Sequence, residues 1–264
     1  MTEDSSGLLA EIAFAHQLAD LARPIARRHF RQALPVDTKA DASPVTRADR
    51  EIEARLREAI RTRHPSHGIL GEEQAPEGLD RRHVWVIDPI DGTKSFITGM
   101  PLFGTLIALV ADGKPVLGLV DMPILDERWV GAPGLGATHN STPCRTREVA
   151  HLGDAVVMTT SPDAYDPRSW AAFEAMSRRA RLRRFGGDCY MYALLASGHV
   201  DVVTGCRLEP YDYLPMVALV EAAGGCITDW QGRALGLSGG DGRVAVSANA
   251  TLHAQVLAAL NDRG

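Results

Sequence analysis

The chain is short of cysteine, of basic charge and of long apolar runs, and each shortage removes a class of function. Four cysteines occur in 264 residues (Cys144, Cys189, Cys206 and Cys226), with no C-x-x-C pair. That pattern argues against a zinc site or a disulfide framework and points to reduced thiols in a cytoplasmic protein. Lys and Arg number 28 against 33 Asp and Glu, for a formal net charge of −5. Without a basic excess there are few counterions to release, so nucleic acid is not an expected partner. No apolar run approaches the ~20 residues of a membrane helix, so a membrane is not expected either. The opening MTEDSSGLLAE lacks the charged and then apolar pattern of a signal peptide. The nine histidines form no H-E-x-x-H. GLSGG at 236–240 matches G-x-S-x-G in letters alone, because a strand and not a helix is expected after it.

What is present reads as two halves. Leu8, Ile12, Leu18, Leu21 and Ile25 recur at helical spacing and predict one long helix over 7–33. A second helix is predicted from Thr46 to about Arg63, with Asp49 completing a capping-box-like pair. GILGEE reads as a short strand ending in acid. Apolar runs from Leu102 to Val130, broken by ADGKP and DMPILDE, read as a hairpin meander, with Asp112-Gly113 as a turn signal. After about residue 145, strands alternate with helices, which predicts a layered α/β unit. The expected class is α+β, a layered α-β-α-β-α sandwich. Helices on a mostly antiparallel sheet form a subdomain over 1–145, and a smaller mixed-sheet α/β subdomain covers 146–264.

The most informative stretch is HVWVIDPIDGTKSF, His83 to Phe96. A core-like apolar run ends in Asp88 and Asp91. Pro89 lacks a ladder donor, so the strand is expected to stop at Asp88, with both acids turned to one side of the exit loop. Two close carboxylates repel unless a proton or cation separates them. A hard divalent cation such as magnesium suits carboxylates, and the Ile90 carbonyl is a third oxygen between them. Gly92 and Thr93 then open a helical turn whose free N–H groups suit a phosphate. Metal ligands and a phosphate cradle in one hexapeptide suggest metal-assisted hydrolysis of a phosphate ester. Taken singly, such acids are more often turn or cap residues.

WVIDPIDGTKSF resembles the metal motif of the inositol monophosphatase family, roughly W-x-[IV]-D-P-[IL]-D-G-T. YDYLPMVALVEAAGGCITD at 211–229 is similar to the family's second motif, with Tyr211 where tryptophan is usual. GEE at 71–73 matches its strand-end glutamate, and KADASPVTRAD at 39–49 looks like its mobile N-terminal loop. Within the family, Lys94 after D-G-T, GMPLFGTLIAL, RRFGGDCYMYALLASGHVD and ITDWQG look most like the histidinol-phosphate phosphatase branch. The resemblance implies two or three magnesium ions held by Glu72, Asp88, the Ile90 carbonyl, Asp91 and Asp212, with Asp88 bridging. It implies that Thr93 fixes the attacking water and that Asp49 partners Thr93 and helps a weaker ion. It also implies lithium sensitivity and a homodimer. Glu73 is read as an outlying or surface acid, and Lys39 as a solvated loop lysine or a residue near the metal site.

The expected activity is that of a magnesium-dependent phosphomonoesterase acting on a small alcohol phosphate, with L-histidinol phosphate first. Inositol, other polyol and nucleotide phosphates are the alternatives, and a catalytically silent metabolite binder is the remote one. Asp188, after Gly186-Gly187, is either a helix N-cap or an acid that binds a cationic amine on the alcohol side. The sequence departs from the family at Gly205, where relatives carry glutamate seven residues before the second-motif aspartate. Either Glu209 supplies the missing charge or the pocket accepts a different alcohol. The arginines of 178–184 read as a solvated face, or as reaching a neighbouring subunit's pocket.

Overall fold

The computed structural model describes residues 3–32, 36–38 and 44–262; Lys39 and residues 40–43 of the expected loop lie outside them. Helix α1 (Glu3–His29) closes on Arg27, Arg28 and His29, cations that complement the negative end of its dipole. A short antiparallel pair follows, β1 (Val36–Thr38) and β2 (Pro44–Thr46). Helix α2 (Arg47–Arg63) starts as the sequence predicts: the Thr46 hydroxyl caps it, and the Asp49 carboxylate accepts from the Thr46 N–H.

The first large sheet contains β3 (Gly68–Gly71), β4 (His83–Asp91), β5 (Gly104–Ala111), β6 (Lys114–Met122), β7 (Glu127–Ala132), β8 (Gly136–His139) and β9 (Thr142–Cys144), in that spatial order. The pair β3/β4 is parallel and every other pair is antiparallel. The turn helix α3 (Thr93–Thr98) sits between β4 and β5. Asp112 and Gly113, both at positive φ, turn β5 into β6, as the D-G pair predicts.

The second sheet is built from β10 (Val156–Thr159), β11 (Leu182–Phe185), β12 (Val202–Gly205), β13 (Cys226–Asp229) and β14 (Val244–Ser247), in the order β11-β10-β12-β14-β13. Its first pairs are parallel and its last two antiparallel, so it is mixed. Its helices are α4 (Pro167–Ser177), α5 (Asp188–Ala196), α6 (Pro210–Ala222) and α7 (Ala250–Asn261).

Alternation along β4 shows how the layers stack. Trp85 and Ile87 face α1 and α2, packing with Leu18, Ile52, Leu56 and Ile60. Val84 and Val86 face the other way, into a core shared with Leu195 of α5, Leu214 and Leu219 of α6, and Val203 and Val246 of the second sheet. A strand buried on both faces reads as an unbroken apolar run. Beyond the second sheet, Phe173 and Met176 of α4 and Leu252 and Val256 of α7 cover Val157 and Val202. The order is α1/α2, sheet, α5/α6, sheet, α4/α7, the expected α-β-α-β-α sandwich. The middle helix layer lies tight on the first sheet: a Cβ at Gly118 would stand 2.0 Å from the Pro215 carbonyl oxygen.

One boundary differs from expectation. Strand β4 does not stop at Asp88 but runs through Pro89 to Asp91, with a register irregularity between the two aspartates. Proline is tolerated there because a bulge removes the need for its ladder donor. Helix α6 begins at Pro210, whose fixed φ suits the first helical position. Pro215 is the sixth residue of that helix.

Candidate active site

On a regular strand, residues three apart point to opposite faces. Asp88 pairs with Leu106 and Asp91 with Gly104, so three steps on β4 match two on β5. One residue is bulged, and the two aspartates emerge on the same face. Asp212, the third residue of α6, meets them there, and ligand oxygens of Asp88, Asp91 and Asp212 lie within 4.8 Å of one another.

Each of the three aspartates has one oxygen fixed by a backbone amide. Asp88 Oδ1 accepts from Ile90 N–H at 3.0 Å. Asp91 Oδ2 accepts from Cys189 N–H at 2.6 Å, and Asp212 Oδ2 from Glu209 N–H at 2.8 Å. The second oxygen of each is left for the cluster. Glu72, just past β3, comes within hydrogen-bond range of Asp88. Burial first, then the neighbouring carboxylates, push Asp88 and Asp212 well above the ordinary carboxyl range. Burial and Asp188 raise Asp91 to about 7, against the opposing pull of its bond to Cys189. Asp91 and Asp212 keep some surface in solvent, which softens the repulsion without removing it. Such a group calls for protons or a cation.

A second cluster adjoins the first: Asp49, Glu72 and Glu73 also bring oxygens within 4.8 Å of one another. Asp49 is fully buried. Its Oδ2 accepts from the Thr46 N–H and hydroxyl, whereas its Oδ1 has no partner. An orphaned, buried carboxylate oxygen inside an all-oxygen donor set fits a hard divalent cation. Glu73, read from the sequence as an outlying acid, belongs to this set. The expected Asp49–Thr93 pair is not formed. Asp49 is held at its own helix start by Thr46, and the Thr93 hydroxyl donates to the Ile90 carbonyl at 3.2 Å. That carbonyl belongs to the peptide leading into Asp91.

The loop bearing Glu72 and Glu73 is held from behind. Glu53 and Arg57, both fully buried on α2, pair at 2.8 Å. Glu53 accepts the N–H groups of Glu73 at 2.7 Å and Gln74 at 2.9 Å, and Arg57 donates to the Gln74 carbonyl at 2.9 Å. Sequence reasoning missed both residues, because an i, i+4 Glu-Arg pair reads as an ordinary solvated face.

Asp188 is not an N-cap: Gly187 holds that position, and no side chain caps the helix. Asp188 is the first helical residue, at φ 42°, a left-handed conformation that Asp tolerates better than most residues. Its Oδ2 accepts from the Ser95 hydroxyl at 2.6 Å and its Oδ1 from the Thr160 hydroxyl at 3.1 Å. It presses on the D-G-T turn, where a Cβ at Gly92 would lie 2.9 Å from Asp188 Oδ2. Gly92 is thus required by close approach as well as by its own φ of 84°. Ser95 and Thr160 carried no sequence signal. Glu209 holds the N-cap position at the exposed start of α6, four residues past Gly205. A Cβ at Gly205 would meet Leu208 Cδ1 at 2.7 Å and the Tyr192 hydroxyl at 3.0 Å.

The profile of the inositol monophosphatase family matches residues 9–264. The chloroplastic bifunctional phosphatase of Arabidopsis thaliana is 43% identical over 258 residues, covering 94% of this chain and 74% of the relative. A histidinol-phosphatase of Chlorobaculum parvum is 37% identical, covering 96% and 97%. The solved inositol monophosphatase of Zymomonas mobilis superposes with a TM-score of 0.88 at 42% identity, covering 96% of this chain and 98% of that one. The chain belongs to the inositol monophosphatase family and is a phosphoric monoester hydrolase.

Proposed function

We propose that the enzyme hydrolyses the phosphate ester of a small amino alcohol, with L-histidinol phosphate as substrate and magnesium as cofactor. The observation that carries this reading is Asp188. Its carboxylate abuts the D-G-T turn beside Asp91, yet it is paired with two hydroxyls and, among the described residues, with no cationic side chain. An acid so placed suits the ammonium group of an alcohol whose phosphate lies at the aspartates. Relatives named histidinol-phosphatase, in Chlorobaculum parvum and, at 34% identity, in Mycobacterium tuberculosis, support it.

Glu72, Asp88, Asp91, Asp212 and the Ile90 carbonyl would hold two magnesium ions, and Asp49 with Glu72 and Glu73 a third. Magnesium supplies positive charge for the phosphate oxygens and lowers the pKa of water. The chain's own part is positional. The backbone-anchored aspartates fix the ligand set, and the first-turn amides of α3, from Gly92 and Thr93 onward, meet phosphate oxygens. The Thr93 hydroxyl, held at the Ile90 carbonyl, orients the attacking water, and Asp188 orients the alcohol.

We further propose two subdomains, 1–145 and 146–264, a homodimer, and a cytoplasmic setting. The first sheet ends at Cys144 and the second opens at Val156. Leu182 and Phe185 stand exposed on the edge strand β11, a surface suited to a second copy. No described helix is long and apolar enough to cross a membrane.

The test is phosphate release from L-histidinol phosphate, inositol 1-phosphate and 3'-phosphoadenosine 5'-phosphate, with magnesium or chelator. Selective, magnesium-dependent turnover of the amino alcohol ester is expected, and Asp188→Asn should raise its KM on the order of tenfold or more. Preference for inositol 1-phosphate, the reaction named for the Zymomonas relative, would overturn the amine reading.

A further inference from the structure

Asp188 and Tyr192 stand four residues apart on α5 and therefore share one face of the helix, about 6 Å from Cβ to Cβ. The tyrosine ring is packed into the core between the two sheets, and the residue is 5% exposed. Its hydroxyl makes no hydrogen bond to any described residue. Tyr165 and Tyr213, the other buried phenols, show the usual solution: the Tyr165 hydroxyl is bonded to Thr159 at 2.7 Å and Thr204 at 2.8 Å, and the Tyr213 hydroxyl donates to the Gly236 carbonyl at 2.8 Å.

The surroundings give direction. The Tyr192 hydroxyl lies against Gly205, and any side chain there would strike it and Leu208. Burial and the nearby Tyr165, Asp91 and Asp212 hold its pKa well above the ordinary phenol value, so it remains an O–H donor. Tyr192 thus combines proximity to the catalytic aspartates, a hydroxyl with no acceptor among the described residues, and a position one turn beyond Asp188.

We infer that Tyr192 is a specificity-determining residue whose hydroxyl donates to an acceptor nitrogen or oxygen on the alcohol portion of the substrate, while Asp188 takes its amine. This rests on the amine reading above. Gly205 then has a definite role, because it keeps clear the space the phenol hydroxyl occupies. The substrate class narrows to amino alcohols that carry a hydrogen-bond acceptor on the side group, such as a neutral imidazole.

The experiment compares two esters with the same amine and phosphate, L-histidinol phosphate and L-phenylalaninol phosphate, which lacks the acceptor. The readout is the ratio of their kcat/KM values in wild type, Tyr192→Phe and Gly205→Ala. Tyr192→Phe should lower the preference for the acceptor-bearing ester by about tenfold, carried by KM, as expected for one lost hydrogen bond. Gly205→Ala should lower the same ratio by displacing the hydroxyl, and it tests the inference even if the phenylalanine variant folds poorly. A purely structural tyrosine would depress both esters alike, and an unchanged ratio in both variants overturns the inference while leaving the amine reading intact. Wild-type failure on both esters overturns the amine reading and this inference with it.

Discussion

Two acidic clusters lie side by side in this molecule and are held in different ways. Asp88, Asp91 and Asp212 are short carboxylates, each tied to a backbone amide. Asp49, Glu72 and Glu73 include two longer side chains, and their loop is braced by the side chains of Glu53 and Arg57. The first cluster is rigid because sheet and helix ends make it so, and no substitution short of proline removes a peptide N–H. The second can be loosened from behind without touching a ligand. A tightly held site and a more adjustable one should therefore differ in cation affinity and in tolerance of mutation.

The contrast is most severely tested at its centre. Asp88→Asn should lower kcat on the order of 10³-fold, measured as phosphate release at saturating magnesium. A loss under tenfold would place the first cluster outside the chemistry. Next comes Arg57→Met, which strands Glu53 as a buried, uncompensated charge. A cost of about 3–5 kcal/mol is expected, read as a lower Tm. Little change in Tm would mean the brace is ornamental. Asp49→Asn should raise the magnesium concentration for half-maximal activity about tenfold, with a smaller loss of kcat than Asp88→Asn. Equal losses would erase the distinction between the clusters.

The smallest effect concerns pH. Asp91, raised to about 7, is protonated in the metal-free fold where an unfolded carboxyl would be ionised. Its contribution to stability is present at low pH and is lost as pH rises from the unfolded value through 7. With chelator at about pH 8, Asp91→Asn should melt roughly 4 °C above wild type, and the gain should shrink as pH falls and vanish near pH 4. A gain that persists at the lower pH would assign it to packing and not to charge.

Much of the fold and of the site was legible in the sequence, for physical reasons. Apolar runs and D-G turns marked the first sheet, and the alternation of strand and helix marked the second. The Thr46–Asp49 cap followed from local hydrogen-bond chemistry. Misreadings arose where a local rule met tertiary context. Pro89 marks the end of a strand only if the ladder must continue through it. Asp188 after two glycines looks like a cap until Ser95 and Thr160, distant in sequence, claim its carboxylate. Glu53 and Arg57 look solvated until the loop after β3 folds over them. Glu73 gave no warning, because it acquires meaning from partners that sequence spacing does not show.

The bulge in β4 has one further consequence. It creates a one-residue edge in the interior of a sheet, a peptide unit released from strand pairing. Exposed edges ordinarily invite another strand. This one offers nothing to pair with. Pro89 has no N–H, and its carbonyl accepts from the Thr105 hydroxyl at 2.8 Å. The Ile90 N–H is committed to Asp88 and its carbonyl to Thr93. The sheet can therefore carry a polar catalytic centre in its middle while remaining closed to association along that strand.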